Sequence, residues 1–265
     1  MIIPFFIPHS GCPHQCVFCN QKKITGEHNQ PVPESIPVKI ADYLKTDKKK
    51  KPVQVAFYGG TFTALPRETQ RRYLAAVQPF IHAGKVESIR VSTRPDCITE
   101  EVLSLLVEHR VSTVELGAQS MDDSVLARAG RGHTGADTVS AVALLRKHAF
   151  SIGIQLMPGL PGDSRERFFM TVERTIDLRP DVVRIYPALV IKDTPLEELY
   201  NAGRYEPLSL EEAVRWCKVA LGRFEQSGIK VIRMGLQPTE ELSKPGTIVK
   251  GPYHPSFRQL VQAPT

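Results

Sequence analysis

The run Ile2-Ile3-Pro4-Phe5-Phe6-Ile7 leads into Pro8-His9-Ser10-Gly11-Cys12-Pro13-His14-Gln15-Cys16-Val17-Phe18-Cys19. A short apolar segment of this kind reads as a buried strand, and the Gly/Pro-containing stretch behind it reads as a loop. The same succession recurs along the chain. Short apolar or β-branched runs at 53–58, 88–92, 113–116, 151–156 and 181–186 read as further strands, several with flanking Gly or Pro. Helical patterns separate them at 33–44, 66–81, 99–108, 122–129 with 136–148, and 164–178. Thr99 before Glu100 and Glu101, and Ser164 before Glu166, are polar N-caps with acidic first turns. Pro66 suits a first helical turn, where no hydrogen bond is lost.

Six strands alternating with helices predict parallel β/α units with right-handed crossovers. The expected fold is α/β, a partial (β/α)6 TIM-like barrel over residues 1–206. Residues 207–265 are expected to complete or flank it with a helix near 210–226, a strand near 230–234 and a polar tail. That tail contains Pro and Gly and is expected to be mobile or to begin a further segment. In such barrels chemistry gathers at the carboxyl ends of the strands, so the loops there are where function is sought.

Composition narrows the class. With 265 residues, 42% of them hydrophobic and 23% charged, the chain has an ordinary soluble composition. It is long enough to bury a core without disulfide staples. No eighteen-residue apolar run is present, and the apolar N-terminus lacks a basic leader and a cleavage site. A cytoplasmic protein with no membrane partner is expected. The net charge of +6 is compatible with a nucleic-acid or phosphate-bearing partner. The run Lys48-Lys49-Lys50-Lys51 reads either as a solvated loop or as a contact to RNA phosphate.

Of the five cysteines, three crowd into the eight residues from Cys12 to Cys19. An odd count with clustered thiols is a poor disulfide framework and a good site for a soft metal centre. Three thiolates on one loop supply three of the four ligands of a cubane cluster and leave one iron open. A zinc site completed by His9 or His14 is the alternative, although the second ligand pair usual in zinc fingers is missing. Cys97 and Cys217 read as small buried apolar residues.

The spacing C-x3-C-x2-C, with an aromatic before the last cysteine, resembles the signature of the radical S-adenosylmethionine (SAM) superfamily. Further motifs follow the predicted strands: Phe57-Tyr58-Gly59-Gly60-Thr61-Phe62, Ser92-Thr93-Arg94-Pro95-Asp96, Glu115-Leu116-Gly117-Ala118-Gln119-Ser120, Gly130-Arg131-Gly132-His133-Thr134 and Gln155-Leu156-Met157-Pro158-Gly159-Leu160-Pro161-Gly162. The resemblance implies a [4Fe–4S] cluster on Cys12, Cys16 and Cys19, with SAM at the open iron. It implies that Tyr58, Gly59, Gly60 and Thr61 contact the amino group of SAM, and that Ser92, Gln119 and Gln155 bind its methionine or ribose parts. Arg131 would pair with the carboxylate, Met157 and the segment to Gly162 would pass the adenine, and Phe18 would line the cavity. Arg94 falls in the same cofactor-binding set. Glu115 admits a structural hydrogen bond or a catalytic role.

Within that superfamily the chain resembles the catalytic subunit of Elongator over about residues 53–206. Gly59-Gly60-Thr61-Phe62, Thr93-Arg94-Pro95-Asp96, Arg131-Gly132-His133-Thr134 and Ile185-Tyr186-Pro187-Ala188-Leu189-Val190-Ile191 carry the likeness, continued by Thr194-Pro195-Leu196 and Gly203-Arg204-Tyr205. It departs in three ways. The first two cysteines are more closely spaced, the acetyltransferase domain is expected to be absent, and the segment after the last strand reads Arg233-Met234-Gly235-Leu236-Gln237-Pro238. The resemblance implies radical chemistry in tRNA wobble-uridine modification, an electron donor of flavodoxin or ferredoxin type and a separate acyltransferase. A small-molecule radical reaction such as tetrapyrrole decarboxylation, or a non-catalytic RNA-binding iron–sulfur subunit, are the other readings.

Overall fold

The structure is a computed structural model that describes residues 1–46 and 52–263. The Lys48 to Lys51 run lies outside the described residues. Among the described residues nine strands are formed: β1 Ile2–Phe6, β2 Gln54–Tyr58, β3 Ser88–Thr93, β4 Val111–Gln119, β5 Ser151–Leu156, β6 Val182–Ile185, β7 Val190–Ile191, β8 Lys230–Met234 and β9 Ile248–Lys250. Seven of them form one sheet in the order β1-β2-β3-β4-β5-β6-β8, and β7 pairs antiparallel with β9. The pairings β1–β2, β2–β3, β3–β4, β5–β6 and β6–β8 are parallel. This is the α/β partial-barrel class expected, with seven parallel strands rather than six because β8 joins the sheet beside β6.

Two compact units are distinguished. The first comprises Met1–Pro13, Glu27–Leu116 and Ser140–Ile152, and the second His14–Gly26, Gly117–Val139 and Gly153–Thr265. In the first, Phe5, Phe57 and Phe62 are fully buried, with Phe57 meeting Phe5 at 5.7 Å, Phe62 at 5.2 Å and Tyr73 at 5.6 Å between ring centroids. Aromatic clusters of this size dominate core energetics. In the second, buried Phe168 of the helix Arg165–Asp177 stacks on Trp216 of the helix Leu210–Gln226 at 5.9 Å.

Three local differences from the sequence reading have physical causes. The helix expected at 66–81 is two, Arg67–Ala75 and Gln78–His82, because Pro79 takes the first turn of the second. Strand β4 extends well beyond 113–116 at both ends. The tail carries regular elements that the sequence reading did not name: β9 pairs with β7, and the helix Phe257–Gln262 buries Phe257 and Val261. No helix among the described residues is long and apolar enough to cross a membrane.

Candidate functional site

In the first unit, the loop behind β1 is built on the loop behind β2. Ser10 N–H donates to the Ile7 carbonyl at 3.1 Å, and Thr61 N–H donates to the Ser10 carbonyl at 2.7 Å. Gly60 sits between them at φ +58°, where a Cβ would overlap the Ser10 carbonyl oxygen and lie 2.6 Å from that of Ile7. The glycine is therefore required by backbone packing of the cysteine loop itself. Beside it, the Cys12 Sγ is 3.5 Å from the Thr61 hydroxyl. Gly59 has φ +74°, and the Tyr58 ring lies 6.2 Å from that of Phe6.

The polar residues within β3 and β4 and just after β3 are largely committed to one another. Ser92 and Glu115 are register partners. Glu115 accepts from Arg90 at 2.6 Å, and both side chains are mostly buried, which favours the structural role for Glu115. Arg94, nearly buried, donates through Nε and one terminal nitrogen to Asp96, each at 2.9 Å. That fork holds the turn at Pro95–Cys97. Burial pushes the Cys97 thiol up to about 11, so it is inert near neutral pH.

In the second unit, the segment from Gly130 to His133 braces the loop that carries Cys16 and Cys19. Val17 N–H donates to the Ala129 carbonyl at 3.1 Å, and the His14 ring lies against Gly132, where any Cβ would overlap it. Arg131 donates to the Cys16 sulfur at 3.1 Å and to the Gly117 carbonyl at 2.5 Å. Cys19 N–H closes a turn on the Cys16 carbonyl, and Asn20 then caps the helix Gln21–Thr25. Asn20 Nδ2 reaches the Lys192 carbonyl and Lys23 pairs with Asp193, which anchors this helix beside β7. Phe18, expected to line a cavity, is packed in a core cluster with Val125, Ala129 and Leu160.

Gln119, Gln155 and Met157 are brought together. Gln119 ends β4 at φ +68°, its carbonyl accepts from Met157 N–H at 2.8 Å, and its side chain accepts from Gln155 Nε2 at 3.1 Å. The turn beyond is held from both sides. Gly159 N–H donates to the Asp163 carboxylate at 2.8 Å, while the Tyr205 hydroxyl donates to the Gly159 carbonyl at 2.6 Å. Asp163 and Tyr205 are absent from the sequence-based residue set. The only signal was that Tyr205 belongs to the Gly203-Arg204-Tyr205 stretch, since a caging carboxylate and hydroxyl have no spacing of their own. Burial raises the Asp163 carboxyl to about 6, partly offset by the N–H donors of Gly159 and Ser164. No three His, Cys, Asp or Glu side chains among the described residues are gathered as ligands to one metal ion.

Residues 6–175 match the Radical SAM superfamily model, and residues 180–264 match the Radical_SAM C-terminal domain. The chain belongs to the radical SAM superfamily. Among its relatives is the tRNA uridine(34) acetyltransferase of Methanocaldococcus jannaschii, 31% identical over 197 residues, or 66% of this chain and 36% of that protein. Another is Elongator complex protein 3 of Saccharomyces cerevisiae, 28% identical over 182 residues, or 61% of this chain and 33% of that one. This radical SAM chain thus spans about a third of the length of either relative. An archaeal Elp3 structure from Methanocaldococcus infernus superimposes with a TM-score of 0.71 at 24% identity, covering 98% of this chain and 61% of that one. That likeness establishes the fold, and the relatives bear out the Elongator-type resemblance.

Proposed function

We propose that this protein is a radical SAM enzyme in which Cys12, Cys16 and Cys19 hold a [4Fe–4S] cluster, and that it acts on a nucleoside in tRNA. The observation that carries the reading is the C-x3-C-x2-C loop behind the first strand of a parallel α/β sheet, with a guanidinium donating to its middle sulfur. The donor set fits the group. It consists of three soft thiols, and N–H donation to a sulfur suits a thiolate ligand. When bound, cluster and SAM supply reductive carbon–sulfur cleavage, the source of a 5′-deoxyadenosyl radical for hydrogen abstraction.

The chain's own residues supply position. Gly60 and Thr61 hold the Cys12 loop in place, Gly60 through backbone contact, and Gly59 precedes them with a left-handed backbone. Arg131 orients Cys16, and the joined amides of Gln119 and Gln155 present a preset pair of polar groups beside Met157. Tyr58, Ser92 and Arg94 complete the cofactor-binding set, Arg94 through the turn it forms with Asp96. The tRNA substrate class is supported by the likeness to an archaeal tRNA uridine(34) acetyltransferase and by the positive net charge. An electron donor of flavodoxin or ferredoxin type completes the reaction.

The test is anaerobic reconstitution followed by incubation with SAM and dithionite. About four irons per chain and release of 5′-deoxyadenosine are expected, together with an altered tRNA nucleoside profile when the gene is deleted. Stoichiometric zinc without iron–sulfur absorbance overturns the cofactor assignment. An unchanged nucleoside profile moves the substrate to a small molecule.

A further inference from the structure

Arg184 of β6 and Arg233 of β8 are register partners on adjacent parallel strands. Their backbones are therefore roughly 4.8 Å apart and their side chains leave the same face. On the other side of Arg184, its register partner in β5 is Gln155, whose amide is bonded to Gln119. Gln155, Arg184 and Arg233 thus stand in one row near the carboxyl ends of three strands.

A slip in the ladder creates this arrangement. Val183 pairs with Val231 and Arg184 with Arg233, so Ile232 is an extra residue. In an unbroken ladder Arg184 would face Ile232, and Arg233 would point to the opposite face. Such bulges re-aim side chains, and here one puts two cations side by side.

Like charges opposite one another on adjacent strands repel, so the pair costs stability unless something compensates it. Both side chains are partly buried. Arg184 donates to the Tyr186 hydroxyl at 3.2 Å, among its contacts. Among the described residues, the Arg233 side chain makes no hydrogen bond or ion pair.

We infer that Arg184 and Arg233 form a binding site for a phosphate group of the substrate. A single guanidinium fork satisfies a carboxylate, whereas two adjacent forks match the several oxygens and larger charge of a phosphate. The nucleotide character of that substrate rests on the tRNA reading above; the anion site rests on the arginine row.

Isothermal titration of the full chain with uridine and with uridine 5′-monophosphate tests the site. The parent binds the monophosphate roughly tenfold tighter than the nucleoside. Arg233→Gln removes no existing bond, so it folds like the parent, and it abolishes most of that preference. Arg184→Gln, checked for folding by circular dichroism, does the same. An unchanged preference in both variants, or no binding of the monophosphate by the parent, overturns the site. So does a retained preference with weakened SAM binding, since the pair then serves the cofactor carboxylate. Loss of the preference in a protein that never cleaves SAM keeps the anion site while the radical reading fails.

Discussion

Arg131 and Cys16, 115 positions apart in the chain, are joined by a hydrogen bond from the guanidinium to Sγ at 3.1 Å. The same guanidinium holds the Gly117 carbonyl. The charge expected to meet a SAM carboxylate is thus also a brace for the cysteine loop. Arg131→Ala is expected to destabilise the protein by about 1.5–3 kcal/mol, the range for hydrogen bonds to charged groups. Urea unfolding of the metal-free protein measures this, and a midpoint equal to the parent's shows that the contact contributes nothing.

Gly60 and Gly84 share a left-handed backbone, at φ +58° and φ +66°, yet only Gly60 is enclosed, since nothing approaches a Cβ at Gly84. Gly84→Ala is expected to cost about 1–2 kcal/mol from backbone strain alone. Gly60→Ala adds an overlap with the Ser10 and Ile7 carbonyls, about 1–3 kcal/mol more. It should also reduce iron uptake, because the displaced backbone leads into Cys12. Thermal melts and iron per chain of the two variants compare them, and equal losses contradict the packing argument.

The five thiols differ in accessibility. Cys12 and Cys19 are partly exposed, Cys16 is buried and Cys217 is fully enclosed. Burial pushes the thiols of Cys97 and Cys217 up, Cys97 to about 11. Iodoacetamide labelling of the metal-free protein at neutral pH, read by peptide mass, should mark Cys12 and Cys19 first and Cys217 last. Early labelling of Cys217 speaks against its place in the core.

Asp163 makes stability depend on pH. Its folded value near 6 lies above the ordinary 3.8, so the folded state holds its proton more tightly than the unfolded chain does. Its contribution is most favourable below about pH 4 and is lost as pH rises through 6. A shift of this size corresponds to about 3 kcal/mol at most. Asp163→Asn should therefore gain on the parent between pH 4.5 and 7.5 in denaturant melts. A gap that stays constant across that window removes the carboxyl as its source.

The parts of the fold set by local chemistry were readable in advance. Residues 151–156 and 230–234 form strands as expected, because β-branched or apolar runs bounded by turns leave little choice. Thr99 and Ser164 cap their helices through their side chains. Strand β4 was underestimated because Gly117 and Ala118 have poor strand propensity, yet pairing carries them. The antiparallel pair of β7 with β9 joins segments almost sixty residues apart, and no periodicity announces it. The site divides the same way. The Gln119–Gln155 contact joins residues already singled out by motif. The Arg184–Arg233 neighbourhood depends on a ladder slip that no spacing rule contains.

Gly159 has both its N–H and its carbonyl engaged, by Asp163 and by Tyr205. A turn tied at donor and acceptor loses its conformational freedom during folding, before any ligand arrives. A molecule that settles against the stretch from Met157 to Gly162 therefore meets a surface already in its final form, and association there carries little ordering entropy. Freeing that carbonyl with Tyr205→Phe would shift the entropic cost to the binding step, visible in calorimetry as a less favourable entropy at nearly constant enthalpy.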